Sequence, residues 1–296
     1  MKKTYFMAGI VLVLGLAFVA CDTPANNNMG GDVSHGYDAN DYIWNEDVEN
    51  IFIRVAGGTF QMGSPDGVGN QNERPMRAVT VSAFYISRFP ITQGQWYDVM
   101  GTNPSTFTFL RSNWRNLPME GVSWIQAARF ANALSLREGL TPAYSITGIT
   151  GVNATLVAGA NGFRLPTEAQ WEFAAGGGTL CNNNFTFSGS NDHEEVAWYS
   201  GNRQRAGTHE VGLLQPNALG LFDMTGNVWE WTQDWYGAYP PGPATNPTGP
   251  ADAGQRSRVI RGGSWASTES NLRIVVRDNI YPAFLGGSIG FRLVRP

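Results

Sequence analysis

A hydroxyl residue followed three positions later by glutamine recurs in this chain just ahead of apolar stretches: Thr92-Gln-Gly-Gln95, Ser123-Trp-Ile-Gln126 and Thr167-Glu-Ala-Gln170. Each predicts a capping box, in which the hydroxyl accepts from the third helical N–H and the glutamine reaches back to the cap. Each helix then meets a glycine stop, at Gly101, Gly139 and Gly176. The helices must therefore be short. The middle one, Trp124 to Glu138, places Trp124, Ala127, Ala131 and Leu134 on one face and should pack on a core.

Strand-like patterns lie on either side of these helices. Ile51–Met62 alternates and breaks at Gly57-Gly58, a hairpin-like signal, and Val79–Ile86 reads as a further strand. Near the end, Ser257–Arg261 and Ile289–Val294 alternate polar and apolar residues. Strands first, short helices next, long loops, then strands again predict an α+β fold with segregated elements. No dinucleotide-binding glycine pattern in a βαβ setting, no P-loop and no internal repeat is present.

Composition narrows the function classes. The chain has 296 residues, Gly 36 and Pro 16, and only 15% charged residues, which fits loop-rich structure. Its ten Trp suit loops pinned by large rings. The lysines are Lys2 and Lys3; without that N-terminal segment 18 arginines face 24 acids, a formal charge of −6. No basic cluster is available to follow a phosphate backbone, so nucleic acid is not an expected partner. His35, His193 and His209 lack zinc spacing. Two cysteines, Cys21 and Cys181, form no disulfide framework; Cys181 reads as a lone, small, semi-buried residue.

The N-terminus reads as an export signal. Residues 1–20 open with Met1-Lys-Lys, run apolar from Tyr5 to Ala20 and end at Cys21. This resembles a bacterial lipoprotein signal, with Phe18 where leucine is usual, and implies lipidation at Cys21. Residues 21–48, polar and carrying Asn26-Asn-Asn28 and Gly30-Gly31, read as a flexible tether. The globular domain is expected over 49–296. The implied protein is exported, held by its lipid at the outer membrane and cell surface, and touches the membrane through that anchor alone.

The stretch from Ala266 to Ser288 has neither helical nor strand periodicity, yet lies between two strand signals. Long aperiodic segments inside compact domains are usually functional.

Several phrases resemble the formylglycine-generating-enzyme (sulfatase-modifying factor) family. They are Gly57-Gly-Thr-Phe-Gln-Met-Gly63, Phe163-Arg-Leu-Pro-Thr-Glu-Ala-Gln-Trp-Glu-Phe-Ala-Ala175, the run from Asn217 to Asp234, Arg261-Gly-Gly-Ser-Trp265 and Ile289-Gly-Phe-Arg292. The resemblance implies a C-type-lectin-like fold with little regular secondary structure. Activity does not carry over. The family's oxidases place two copper-binding cysteines after Gly-Gly-Ser; counted from Ser264, those positions are Ser267 and Leu272. A hydroxyl and an isobutyl group cannot form a two-thiolate copper site. The expectation is no catalysis and no copper, the competing reading being an oxidoreductase of that type. The resemblance also implies structural calcium, with carboxylates from Asp223 and Glu230 and carbonyls from Gly226 and Val228, hard ligands that suit the ion.

The C-terminal stretch resembles the variable proteins of diversity-generating retroelements, which vary surface residues by changing adenines, chiefly in asparagine codons. Such changes cannot reach Glu, Gln, Lys, Met or Trp, and between Ala266 and Ser288 only Glu269 belongs to that set. The implied ligand-binding residues are Ala266, Ser267, Thr268, Asp278, Asn279, Ile280, Tyr281, Ala283, Phe284, Leu285, Gly286 and Ser288. Tyr281 and Phe284 should be exposed anchors and Ser267, Asp278, Asn279 and Ser288 a polar rim; Ile280 and Leu285 could face either way. Arg273, Arg277 and Arg292 should brace the loop through carboxylates, Asp223 or Asp234 among them. The ligand expected is a protein on another cell or in the surroundings, met by a monomer.

Overall fold

The computed structural model describes residues 51–108, 112–147, 153–181, 185–202, 206–251 and 256–296. The expected signal segment 1–20, Cys21, His35 and the expected tether 21–48 lie outside the described residues.

The first strands depart from the hairpin reading. β1 (Phe52–Val55) and β2 (Gly58–Met62) do not pair with each other. β3 (Arg77–Val81) pairs antiparallel with β2, and β4 (Phe84–Ser87) pairs antiparallel with β1. Gly57-Gly58 and Ser82-Ala83 are thus two pivots at which the chain passes between sheets, and Val79–Ile86 is two strands rather than one. The pivots touch: a Cβ on Gly57 would lie 2.8 Å from both Val81 O and Ala83 N. Only glycine permits that approach.

The capping boxes form as expected. α1 (Gln93–Met100), α2 (Trp124–Arg137) and α3 (Glu168–Ala175) start at Thr92, Ser123 and Thr167, each hydroxyl accepting from the glutamine N–H and each glutamine accepting from the cap. Gly101 and Gly176 cap α1 and α3, and Gly139, with φ +69°, follows Glu138 at the end of α2. The remaining regular pieces are small: β5 (Tyr144–Thr147) with β6 (Asn153–Leu156), the one-turn helices α4 (Gly178–Cys181) and α5 (His193–Val196), and β7 (Ala197–Trp198) with β8 (Thr225–Gly226).

The C-terminal half builds the four-stranded sheet. β9 (Trp229–Trp235) is nearly all buried. β10 (Ala244–Thr245) joins β3 in parallel, and β11 (Arg258–Arg261) lies against β9. The stretch read as wholly aperiodic holds a 3-10 turn, Glu269–Asn271, and a strand, β12 (Arg277–Ile280). Arg-Asp-Asn-Ile has no strand composition; β11 imposes the conformation by pairing Arg258 with Ile280 through Arg261 with Arg277. β13 (Ile289–Gly290) runs parallel to β9, giving the order β12-β11-β9-β13. The segment 289–294 is not one strand: β14 (Val294–Arg295) leaves for the β1-β4 sheet, where it pairs with β4.

Large rings fix the loops. The indole of Trp124 donates to Thr232 O at 2.8 Å, and that of Trp231 to Val122 O at 3.0 Å. Each ring is buried while its polar edge finds a partner, which makes it a directional pin as well as filler. Cys181 is 5% exposed, more buried than the semi-buried placement expected of it.

Candidate ligand-binding face

The turn between β12 and β13 is held almost wholly by its own main chain. Trp124 N–H donates to Pro282 O at 3.0 Å, Gly121 N–H to Gly286 O at 3.1 Å, and Trp229 N–H to Ser288 O at 2.8 Å. The Trp265 indole donates to Gly287 O at 3.0 Å. Within the turn, Phe284 N–H reaches Tyr281 O at 2.9 Å. Every donor belongs to the frame or the backbone and every acceptor is a carbonyl. The turn's shape is therefore set by main-chain contacts rather than by its outward side chains.

Those side chains point out. Tyr281 is 58% exposed, Phe284 43% and Leu285 60%. Ala283, Ala266, Thr268 and Asp278 are exposed as well. Asn279, Gly286 and Ser288 are half-buried, as is Ile280, which packs against the main core. The Phe284 ring lies over Gly286, where a Cβ would come within 2.4 Å of it. Tyr281, Phe284 and Leu285 form one apolar patch on a single turn, the kind of surface that marks an interaction site.

Ser267 does not join this face. It is 7% exposed, and its hydroxyl accepts from Ser264 N–H at 2.9 Å. The polar rim is Asp278, Asn279 and Ser288, without Ser267. Leu272 is fully buried in a small cluster with Phe187, Val196 and Ala197. Hydrocarbon fills the space around it, and Ser267 closes a local turn.

Beneath the face lies a buried ionic bed, with partners other than those expected. Arg273 pairs with Glu73, Arg277 with Glu168, and Arg292 with Glu230; neither Asp223 nor Asp234 takes these roles. Arg261, fully buried, bridges Glu168 at 2.7 Å and Glu172 at 2.5 Å. The Tyr239 hydroxyl adds a donor to Glu168 at 2.9 Å. Burial pushes the Glu168 carboxyl up, but Arg277 and Arg261 outweigh it and hold the group below its usual range. Burial pushes Asp234 up to about 7, and the Glu168 charge adds to the effect.

The proposed calcium donors sit on a strained turn. Asp223, Gly226 and Asn227 have φ of 54°, 80° and 60°. The Asp223 carboxylate accepts from Gly212 N–H at 2.7 Å and the Asn227 amide at 3.2 Å. Glu230 accepts from Arg292 Nε and from the Trp171 indole, both at 2.7 Å, and from Arg292 Nη2 at 2.8 Å. Burial pushes Asp223 up to about 6. Arg292 thus pairs with Glu230, while Asp223 is held by the neutral Gly212 N–H and Asn227 amide. The donors are hard oxygens of the kind calcium takes, but both Glu230 oxygens are already occupied by Arg292 and Trp171, and among the described residues no group of three or more His, Cys, Asp or Glu side chains is placed to hold a metal ion.

A model of the sulfatase-modifying factor enzyme 1-like domain matches residues 44–296. The chain belongs to that family. Its fold is the C-type-lectin-like one of this family, mixed helix and strand with few helices. A solved structure, Treponema denticola variable protein 1, superposes with a TM-score of 0.74 at 34% identity, covering 83% of this chain and 95% of that one. A Paenibacillus barcinonensis protein named chaperone protein LppX is 33% identical, covering 100% of this chain and 99% of its own length. The Bos taurus inactive C-alpha-formylglycine-generating enzyme 2 is 29% identical over 81% of this chain and 86% of its own. The family therefore includes members without the enzymatic activity.

Sequence reasoning missed one flank of the face. An open groove of about 1040 Å³ runs beside Asp278, walled by Asp66, Asn70, Arg74 and Tyr236. The 66–74 segment lies far from Asp278 in sequence, and no local signal ties the two together.

Proposed function

We propose that this family member is a non-catalytic surface protein that binds ligands, proteins foremost, through a diversified C-terminal face centred on Tyr281, Phe284 and Leu285. One observation carries the reading: the frame grips the turn by carbonyl oxygens, so its exposed side chains can change without loss of the fold. The structural relative named a variable protein supports the same reading. Absence of catalysis rests on Ser267 and Leu272, which stand where the family's oxidases carry thiolates; the relative named inactive is in keeping with it.

The protein is exported, anchored by lipid on Cys21 at the outer membrane and cell surface, and acts as a monomer. No helix among the described residues is long and apolar enough to cross a membrane. Mass spectrometry of the mature N-terminal peptide tests the anchor: acyl chains on Cys21 support it, while a Cys21 sulfur joined to Cys181 removes it. Calcium at Asp223, Gly226, Val228 and Glu230 steadies the turn behind Trp265. Calcium should raise the melting midpoint of purified protein and lose that effect in Glu230→Gln.

The deciding experiment is sequencing of this gene across clonal isolates. Changes gathered between 266 and 288, at exposed positions, support the proposal. Changes spread evenly over the domain, or copper found with turnover, contradict it. A second reading comes from the relative named a chaperone: the apolar turn would then hold many unfolded polypeptides. Binding to any unfolded chain, insensitive to the sequence of the turn, would favour that reading.

A further inference from the structure

A second cavity, of about 490 Å³, lies at the start of β3 and α3 and under the 237–250 loop. Its walls are mainly apolar, with Met62, Ala169, Pro240, Pro247 and Pro250. That volume is in the range of small-molecule sites. Four charged residues line it: Arg77, Arg277, Glu168 and Asp234.

Three of the four are accounted for. Glu168 is saturated by Arg277, Arg261 and Tyr239. Arg277 donates to Glu168 and to the carbonyls of Gly237 and Asn72. Asp234 accepts from Glu168 N–H at 2.8 Å, and burial pushes its carboxyl up to about 7.

Arg77 is different. It is 8% exposed and forms no ion pair among the described residues. Its contacts are a 3.3 Å bond from Nη1 to Pro240 O and the Tyr239 ring, 5.4 Å from the guanidinium carbon. Its Nε is buried and donates to nothing. A buried cation without a counter-charge is costly, and a guanidinium fork matches a carboxylate in two-point geometry.

We infer that this cavity is a binding site for a small carboxylate with an apolar body, the acid group on Arg77 and the body against the proline and methionine wall. The site is separate from the display turn and shares none of its exposed residues.

Calorimetric titration of the purified full chain at neutral pH tests it, using acid and amide pairs from butyrate and butyramide to hydrocinnamate and hydrocinnamide. Saturable binding of an acid, weaker by about tenfold or more for its amide, is the expected result. Arg77→Met should abolish the preference and Arg77→Lys retain part of it, with circular dichroism melts verifying the fold. The acid–amide comparison on the unaltered protein does not depend on either variant. Equal affinity of acid and amide, or no binding across the series, overturns the inference. Phe284→Ala should leave this binding unchanged.

Discussion

The buried bed of arginines and the exposed terminal turn lie on neighbouring elements, and they are built on opposite rules. In the bed, identity is everything: Arg261, Arg277 and Arg292 are buried and matched oxygen by oxygen to Glu168, Glu172 and Glu230. In the turn, identity is nearly irrelevant to shape, because Pro282, Gly286, Gly287 and Ser288 are gripped through their carbonyls. A scaffold that must present variable side chains needs both. Rigidity comes from groups that cannot change, and freedom from groups that the frame does not touch.

The largest expected contrast is at Glu168. Glu168→Ala leaves Arg277 and part of Arg261 buried without a partner. It should lower stability by about 3–5 kcal/mol in denaturant titration. A loss under about 1 kcal/mol would mean that the bed is not a matched network.

Asp234 gives a pH-dependent contrast. The folded state holds its proton up to about pH 7, and the unfolded chain releases it near the ordinary value of about 4. The group's stabilising share is thus full below about pH 4 and is lost as pH rises towards 7. Asp234→Asn keeps an oxygen for Glu168 N–H and should flatten this part of the stability curve. An unchanged slope would remove Asp234 as its source.

Trp265→Phe is expected to cost about 1 kcal/mol, one hydrogen bond, and to raise amide exchange at Gly286–Ile289. The smallest effect should fall on the face itself. Tyr281→Ala and Phe284→Ala should each shift stability by no more than about 0.5 kcal/mol. Both should lose ligand binding on cells.

Much of this was legible in the chain. The capping boxes at Thr92, Ser123 and Thr167 are local, and local rules found them. The exposure of Tyr281 and Phe284 beside Pro282 was an expectation of the resemblance to variable proteins, and both are exposed. What failed depended on distant parts. Arg277–Ile280 is a strand because β11 lies beside it, not because of its residues. The arginine partners are Glu73, Glu168 and Glu230, brought in from other elements, rather than Asp223 and Asp234. Ser267 turns inward because Ser264 N–H needs an acceptor. The apparent hairpin at Gly57-Gly58 fails because that pivot opens onto two sheets. The Arg77 cavity had no sequence signature, since its walls come from five separate segments.

The most direct test is to randomise Tyr281, Ala283, Phe284 and Leu285 together in the full chain and score folding by protease resistance of the individual clones. If the frame alone shapes the turn, most clones should resist protease as well as the parent while differing in what they bind. A library in which most clones are digested, as expected for buried positions, would contradict the account.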